Sequence, residues 1–350
     1  MNRSLASILL LLLFAPAAQS KAQWDLEESH TTANLRGIAN TGGGAVWASG
    51  TNGTVLRSED GGYLWQTCAI PPGAEKLDFR GIQAFDENTA IVMSSGPGDQ
   101  SRLYKTTDGC QTWRLLFTNP DKEGFWDAIR FASRDFGVLL GDPVDGKFII
   151  MLTFDGGKKW EKQTQKSTAD INGEGAFAAS NSSLLLSSID YRMFGTGGPG
   201  GSRIITVGSG PTDVYVGDVS KTKKLPWEAG QDAAQLPTHN RTASSGIFSI
   251  AEDPSRTGTM VAVGGDYLKP SERLDTAWYY DLAHYDQALR SFWQPAQTPP
   301  HGYRSSVAYD PQQKLWITVG PNGTDISTDD GKNWHALKPS PTDPADADKN

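Results

Sequence analysis

One eight-residue phrase recurs along this chain and constrains its fold more than any other feature. Ser58-Glu59-Asp60-Gly61-Gly62-Tyr63-Leu64-Trp65 returns as Thr106-Thr107-Asp108-Gly109-Cys110-Gln111-Thr112-Trp113, then as Thr153-Phe154-Asp155-Gly156-Gly157-Lys158-Lys159-Trp160, and late in the chain as Ser327-Thr328-Asp329-Asp330-Gly331-Lys332-Asn333-Trp334. The first three aspartates stand 48 and 47 residues apart, a period that marks a propeller, a solenoid or an array. An Asp followed by glycines closes a tight hairpin, because its carboxylate accepts from backbone N–H groups further on and glycine adopts positive φ without a Cβ clash. The Trp of each phrase opens the next strand and can fill the gap between neighbouring sheets, for roughly 1.5–3 kcal/mol of burial. These turns read as structural.

Around them lie short apolar or alternating runs between glycine-rich turns, such as Ala90-Ile91-Val92-Met93, Gly137-Val138-Leu139-Leu140 and Met260-Val261-Ala262-Val263. Such runs are strand signals, and helical periodicity is nearly absent. Six units follow, near 35–68, 78–118, 125–163, 174–229, 245–295 and 302–338, with first strands beginning near Leu35, Phe79, Trp126, Gly175, Gly246 and Tyr303. Units four and five lack the phrase, leaving Trp227 and Trp293 as candidates for its Trp, and Gly208 to Arg241 reads as an irregular insertion. The expected fold is all-β, a single β-propeller domain over 23–338 with six or seven four-stranded blades, Trp24-Asp25-Leu26 being a candidate closing strand.

The first residues carry Arg3, an apolar run from Leu9 to Phe14 and small residues at Ala18, Ser20 and Ala22. That order describes a signal peptide over 1–22, and the run is short for a membrane span. A secreted or periplasmic location is expected, with a disordered polar tail over 339–350. Export permits a disulfide between the two cysteines, Cys68 and Cys110, and two free thiols are the competing reading. A net charge of −8 supplies no basic footprint for nucleic acid. The five histidines have no ligand spacing, so no metal is expected. Gly195-Thr196-Gly197-Gly198-Pro199-Gly200-Gly201 opens no helix after a βαβ strand and is no dinucleotide fingerprint. No cofactor is expected.

The repeated phrase resembles the Asp-box of the BNR, or sialidase-like, propellers, with Asp60, Trp65, Asp108, Trp113, Asp155, Trp160, Asp329 and Trp334 as its structural residues. The surrounding pattern is most similar to propellers of the photosystem II stability/assembly-factor type and to their secreted bacterial relatives of unknown role. It is carried by Leu35-Arg36-Gly37-Ile38, Val46-Trp47-Ala48-Ser49-Gly50 and Thr54-Val55-Leu56-Arg57 running into Ser58.

In a blade numbered from the axis outward, the start of the first strand and the turn between the second and third share one face, opposite the Asp turns. Aligning first strands puts Arg36, Arg80, Asp127 and Arg304 at one position, and the same face should receive Asp142, Glu174 and Asp266. A mouth ringed by arginines and carboxylates is the candidate site, since guanidinium groups suit a carboxylate, phosphate or acidic peptide. The competing reading has these charges pairing across blades to pin the ring. The resemblance implies a non-enzymatic scaffold that binds a protein or peptide, possible ligands including an anionic small molecule or a glycan. The alternative it implies is a sialidase-like glycoside hydrolase, with Arg36, Arg80 and Arg304 holding a substrate carboxylate and Tyr303, Glu174 and Asp142 in the remaining roles.

Overall fold

The computed structural model describes residues 26–337 except 164–168, 170–172, 188–191, 209–212, 216–221, 225–229 and 285–291, and single positions 237, 240, 257 and 282. The expected signal peptide, Trp24, Asp25, Trp227 and the polar tail lie outside the described residues. Six four-stranded antiparallel sheets follow one another as blades, each with its strands in sequence order. Blade one, for example, runs Leu35–Asn40, Val46–Gly50, Val55–Ser58 and Gln66–Thr67.

Strand alternation sends successive side chains to opposite faces, so each sheet contributes to two packed layers. Val92 of blade two packs with Trp47 and Val55 of blade one, while its neighbours Ile91 and Met93 pack with Trp126, Ile129 and Leu139 of blade three. The pattern repeats through Val138 and Phe194, then Met193 and Trp278, to Val261 and Trp316. Blade one is less covered: Ile38 is 71 % exposed, whereas the equivalent Ile82 of blade two is buried.

All four repeated phrases form the same turn. Asp60 Oδ1 accepts the Leu64 N–H at 2.9 Å and the Ser58 hydroxyl at 2.8 Å, and Ser58 Oγ in turn accepts the Gly62 N–H. Asp108 accepts both the N–H and the hydroxyl of Thr112. Asp155 accepts the N–H groups of Lys158 and Lys159, and Asp329 that of Asn333. Trp160 and Trp334 each donate Nε1–H to a glycine carbonyl of their own turn. In the second phrase Cys110 holds a φ of 65° where the other three have glycine. Its sulfur explains the exception: Cys110 is disulfide-bonded to Cys68, at a Cα separation of 5.3 Å, joining blade two to the end of blade one.

Blade four corrects two expectations. Its first strand begins not at Gly175 but at Leu184, in the run Leu184–Leu186. Gly175 pairs briefly with Gly197, after which the chain leaves the sheet and returns through a single 3₁₀ turn at Asn181–Ser183. The supposed irregular insertion contains a two-stranded ribbon, Asp213–Tyr215 with Thr222–Lys224, and then the fourth strand of the blade, Gly230–Gln235. Polar residues in that stretch concealed the strand because its partner, Arg203–Gly208, supplies the pairing. In blade five Trp293 is buried at the start of the fourth strand, as the Trp pattern anticipated.

The excursion of blade four ties the ring together at its axis. Asn181 accepts the Ile129 N–H at 2.8 Å and donates to the carbonyls of Ile82 and Ile129, spanning blades two and three. Ser182 reaches the hydroxyls of Ser249 and Ser306, and Ser180 donates to the Ser305 carbonyl, reaching blades five and six. A side-chain amide can substitute for a strand partner because it carries both donor and acceptor.

Candidate functional site

Above this excursion lies a cavity of about 490 Å³ lined by residues of blades one, two, three, five and six and by the excursion itself. Four of the lining side chains owe their aim to one backbone device. The pairing of the first two strands slips between Leu35 and Gly37, between Phe79 and Gly81, opposite Asp127, and between Ile247 and Ser249. The residues skipped are Arg36, Arg80, Asp127 and Phe248, all in the cavity wall. A bulge breaks the alternation of the strand and re-aims its side chain.

The same register explains why Arg304 is absent from the wall. A Cβ on Gly141 would meet the Phe125 carbonyl and one on Gly50 the Asn34 carbonyl, and Gly320 stands in that relation to the Tyr303 carbonyl. Tyr303 is therefore the counterpart of Asn34 and Phe125, and Ser305, not Arg304, is the counterpart of Arg36 and Asp127. The sequence alignment of blade six was one residue out, and one residue reverses the facing of a strand position. Arg304 is fully buried, donates Nε–H to Asp325 at 2.8 Å, pairs with it again through Nη2, and donates Nη1–H to the Tyr303 carbonyl. His301 adds a third contact to Asp325. Here the internal ion pair is what the structure contains.

Glu174 and Asp266 also fall outside the wall. Arg203 and the Thr196 hydroxyl occupy the buried Glu174 carboxylate, and Asp266 accepts from the hydroxyls of Thr242 and Ser244 and from the Leu268 N–H. Of the set cast for glycoside hydrolysis, Arg36, Arg80, Asp142 and Tyr303 line the cavity, while Arg304 and Glu174 lie outside it in buried ion pairs.

What the structure brings together is Arg36, Arg80, Asp127 and Asp142, with Phe125, Phe177, Phe248, Tyr267 and Tyr303. At the rim, Arg80 donates Nε–H to Asp78 Oδ2 at 2.8 Å and Nη1–H to the Ala178 carbonyl, while Arg36 Nε lies 3.8 Å from Asp78 Oδ1. Both arginine side chains remain about a third exposed, at 37 % and 31 %. Asp127 is 1 % exposed, and neither of its carboxyl oxygens has a hydrogen-bond partner among the described residues. Burial pushes its pKa well up and Asp142 pushes it further, with Arg80 opposing. Asp142 is also raised by burial, against the Ala176 N–H that donates to its Oδ1.

Of the aromatic side of the wall, sequence had singled out Tyr303 alone as a site residue. Phe177 stacks on Phe248 with centroids 4.0 Å apart, and Phe248 meets Tyr303 edge-on at 4.8 Å. These residues come from three separate units and share no spacing. The one local signal was Phe125, standing immediately before a first strand.

No protein-family model matches the chain. It is 23 % identical over 354 residues to the photosystem II assembly lipoprotein Ycf48 of Synechococcus sp. (strain CC9902), covering 95 % of this chain and 88 % of that protein. The chain is a six-bladed β-propeller similar to Ycf48. Among solved structures, it resembles YCF48 bound to D1 peptide, with a TM-score of 0.57 and 15 % identity over 93 % of this chain and 88 % of the other. YCF48 from Cyanidioschyzon merolae gives 0.58 and 17 % over 90 % and 88 %. The Niastella koreensis GH74 enzyme gives 0.54 and 14 %, with 86 % of this chain matched to 46 % of that one. At such identities these structures report only the fold that the chain shares with them.

Proposed function

We propose that this chain is a non-enzymatic scaffold that binds a protein or peptide segment across the cavity mouth. We further propose that it is exported, secreted or periplasmic, and serves the assembly or stabilisation of an envelope protein complex. The observation that carries the binding reading is the cavity, where two partly exposed arginines and two carboxyls from three blades converge on aromatic walls over a cross-tied axis. A rigid frame that holds its contacts in place reduces the ordering cost of binding. The likeness to a YCF48 structure that holds a D1 peptide points the same way.

The test is a cross-linking pull-down from the native envelope, comparing wild type with the Arg36→Ala/Arg80→Ala double variant. A partner specifically captured by wild type, lost by at least tenfold in the variant, and mapped by its cross-links to the mouth supports the reading. Equal capture by both proteins, or no capture, rejects it. Both arginines sit at a solvated rim, so the variant should keep its melting temperature within about 2 °C, since exposed ion pairs contribute about 0–1 kcal/mol.

A further inference from the structure

Below the arginines, the cavity holds a group that anion recognition leaves unused. Asp127 is a wall residue, 1 % exposed, with both carboxyl oxygens unpartnered among the described residues. Asp142 beside it uses Oδ1 for the Ala176 N–H, leaving Oδ2. Buried carboxyls are ordinarily paired or hydrogen-bonded, so the two Asp127 oxygens call for a donor that the described residues do not provide. The rim arginines do not provide it, because Arg80 is held by Asp78 and the Ala178 carbonyl, and Arg36 leans towards Asp78.

The walls specify the donor further. The faces of aromatic rings attract cations, and flat apolar walls cover the methylenes of a long cationic side chain. Phe177, Phe248 and Tyr303 form one continuous aromatic surface through stacked and edge-on contacts. We propose that the cavity receives a lysine side chain of the bound segment, its methylenes against Phe177, Phe248 and Tyr303 and its ammonium donating to Asp127 and Asp142. An ammonium has three donors, matching the two oxygens of Asp127 and the second oxygen of Asp142. Its charge also restores the ionised form that burial disfavours at Asp127. The choice of a lysine rests on the peptide-binding reading above; the preference for a primary ammonium does not.

The test uses the full chain with ¹³C-methyl-labelled alanine, since Ala176, Ala178 and Ala179 line the cavity and report its occupancy. It is titrated with Nα-acetyl-lysine amide and with the norleucine, Nε-acetyl-lysine, arginine and glutamate counterparts. The expected result is saturable shifts of those three methyls, with the lysine probe binding at least tenfold more tightly than any other. Asp127→Asn should remove that advantage while the remaining methyl spectrum stays native. No binding by the lysine probe, equal binding by the arginine or glutamate probe, or an advantage that survives Asp127→Asn in a folded protein overturns the proposal. Should the variant fail to fold, the comparison of probes on wild type still decides. Lysine-selective binding with an empty pull-down would fail the scaffold reading alone, and a captured partner with no lysine selectivity would fail this inference alone.

Discussion

At Asp127 a single side chain carries a measurable cost. A carboxyl whose pKa is raised by folding loses nothing below its ordinary value of 3.8, where both folded and unfolded chains hold the proton. As pH rises through that value the unfolded chain ionises first, so native stability falls with pH until the folded group also ionises. Desolvation is the main cause, Asp142 adds to it and Arg80 offsets part of it. Asp127→Asn removes the titration, and its stability relative to wild type should rise by at least about 1 kcal/mol at pH 7, since each tenfold change in proton affinity is worth about 1.4 kcal/mol. Thermal or urea unfolding across pH 3 to 8 checks this, and the gain should vanish below pH 4. A constant difference across the range would show that folding leaves the proton affinity of this group unchanged. Sequence placed Asp127 at the mouth because it stands second in its strand, as Arg36 and Arg80 do. It could not reveal the missing partners, which depend on what neighbouring blades fail to supply.

Among elements, the repeated turn is the most local and was the most legible. Asp108 accepts the Thr112 N–H and hydroxyl and the Thr106 hydroxyl, and these bonds hold its carboxyl down to about 2. Asp108→Ala should lower the urea midpoint of unfolding by removing the acceptor of the turn donors, with probe binding at the opposite face unchanged in the folded protein. An unaltered midpoint would mean that water replaces the carboxylate fully. All of these bonds span at most four residues, so composition and order suffice to read them. The excursion of blade four is the contrary case. Ala178, Asn181 and Ser182 bond to residues of other blades, and nothing near them in sequence announces an interruption between Gly175 and Leu184.

For the whole molecule, the blades depend on one another through packing between sheets, and the Cys68–Cys110 bond adds one covalent tie. It closes 42 residues of chain between two blades, and loop-closure entropy assigns such a crosslink about 4 kcal/mol. Cys68→Ser with Cys110→Ser should lower unfolding stability by about that amount, read as a lower denaturant midpoint with little change in slope. A loss below about 1 kcal/mol would show that the blade interface, not the bond, sets the cooperativity of this pair. Sequence alone determined the all-β repeat and the turn chemistry, because hairpin turns and strand alternation are set by neighbours a few residues apart. It also brought Arg36, Arg80, Asp127 and Asp142 to one face. Only the tertiary structure decided that Arg304 turns inward to Asp325, that Glu174 is taken by Arg203, and that Phe177 and Phe248 complete the wall. Those outcomes turn on a one-residue register and on contacts between separate blades, and such long-range geometry leaves no periodic trace in the chain.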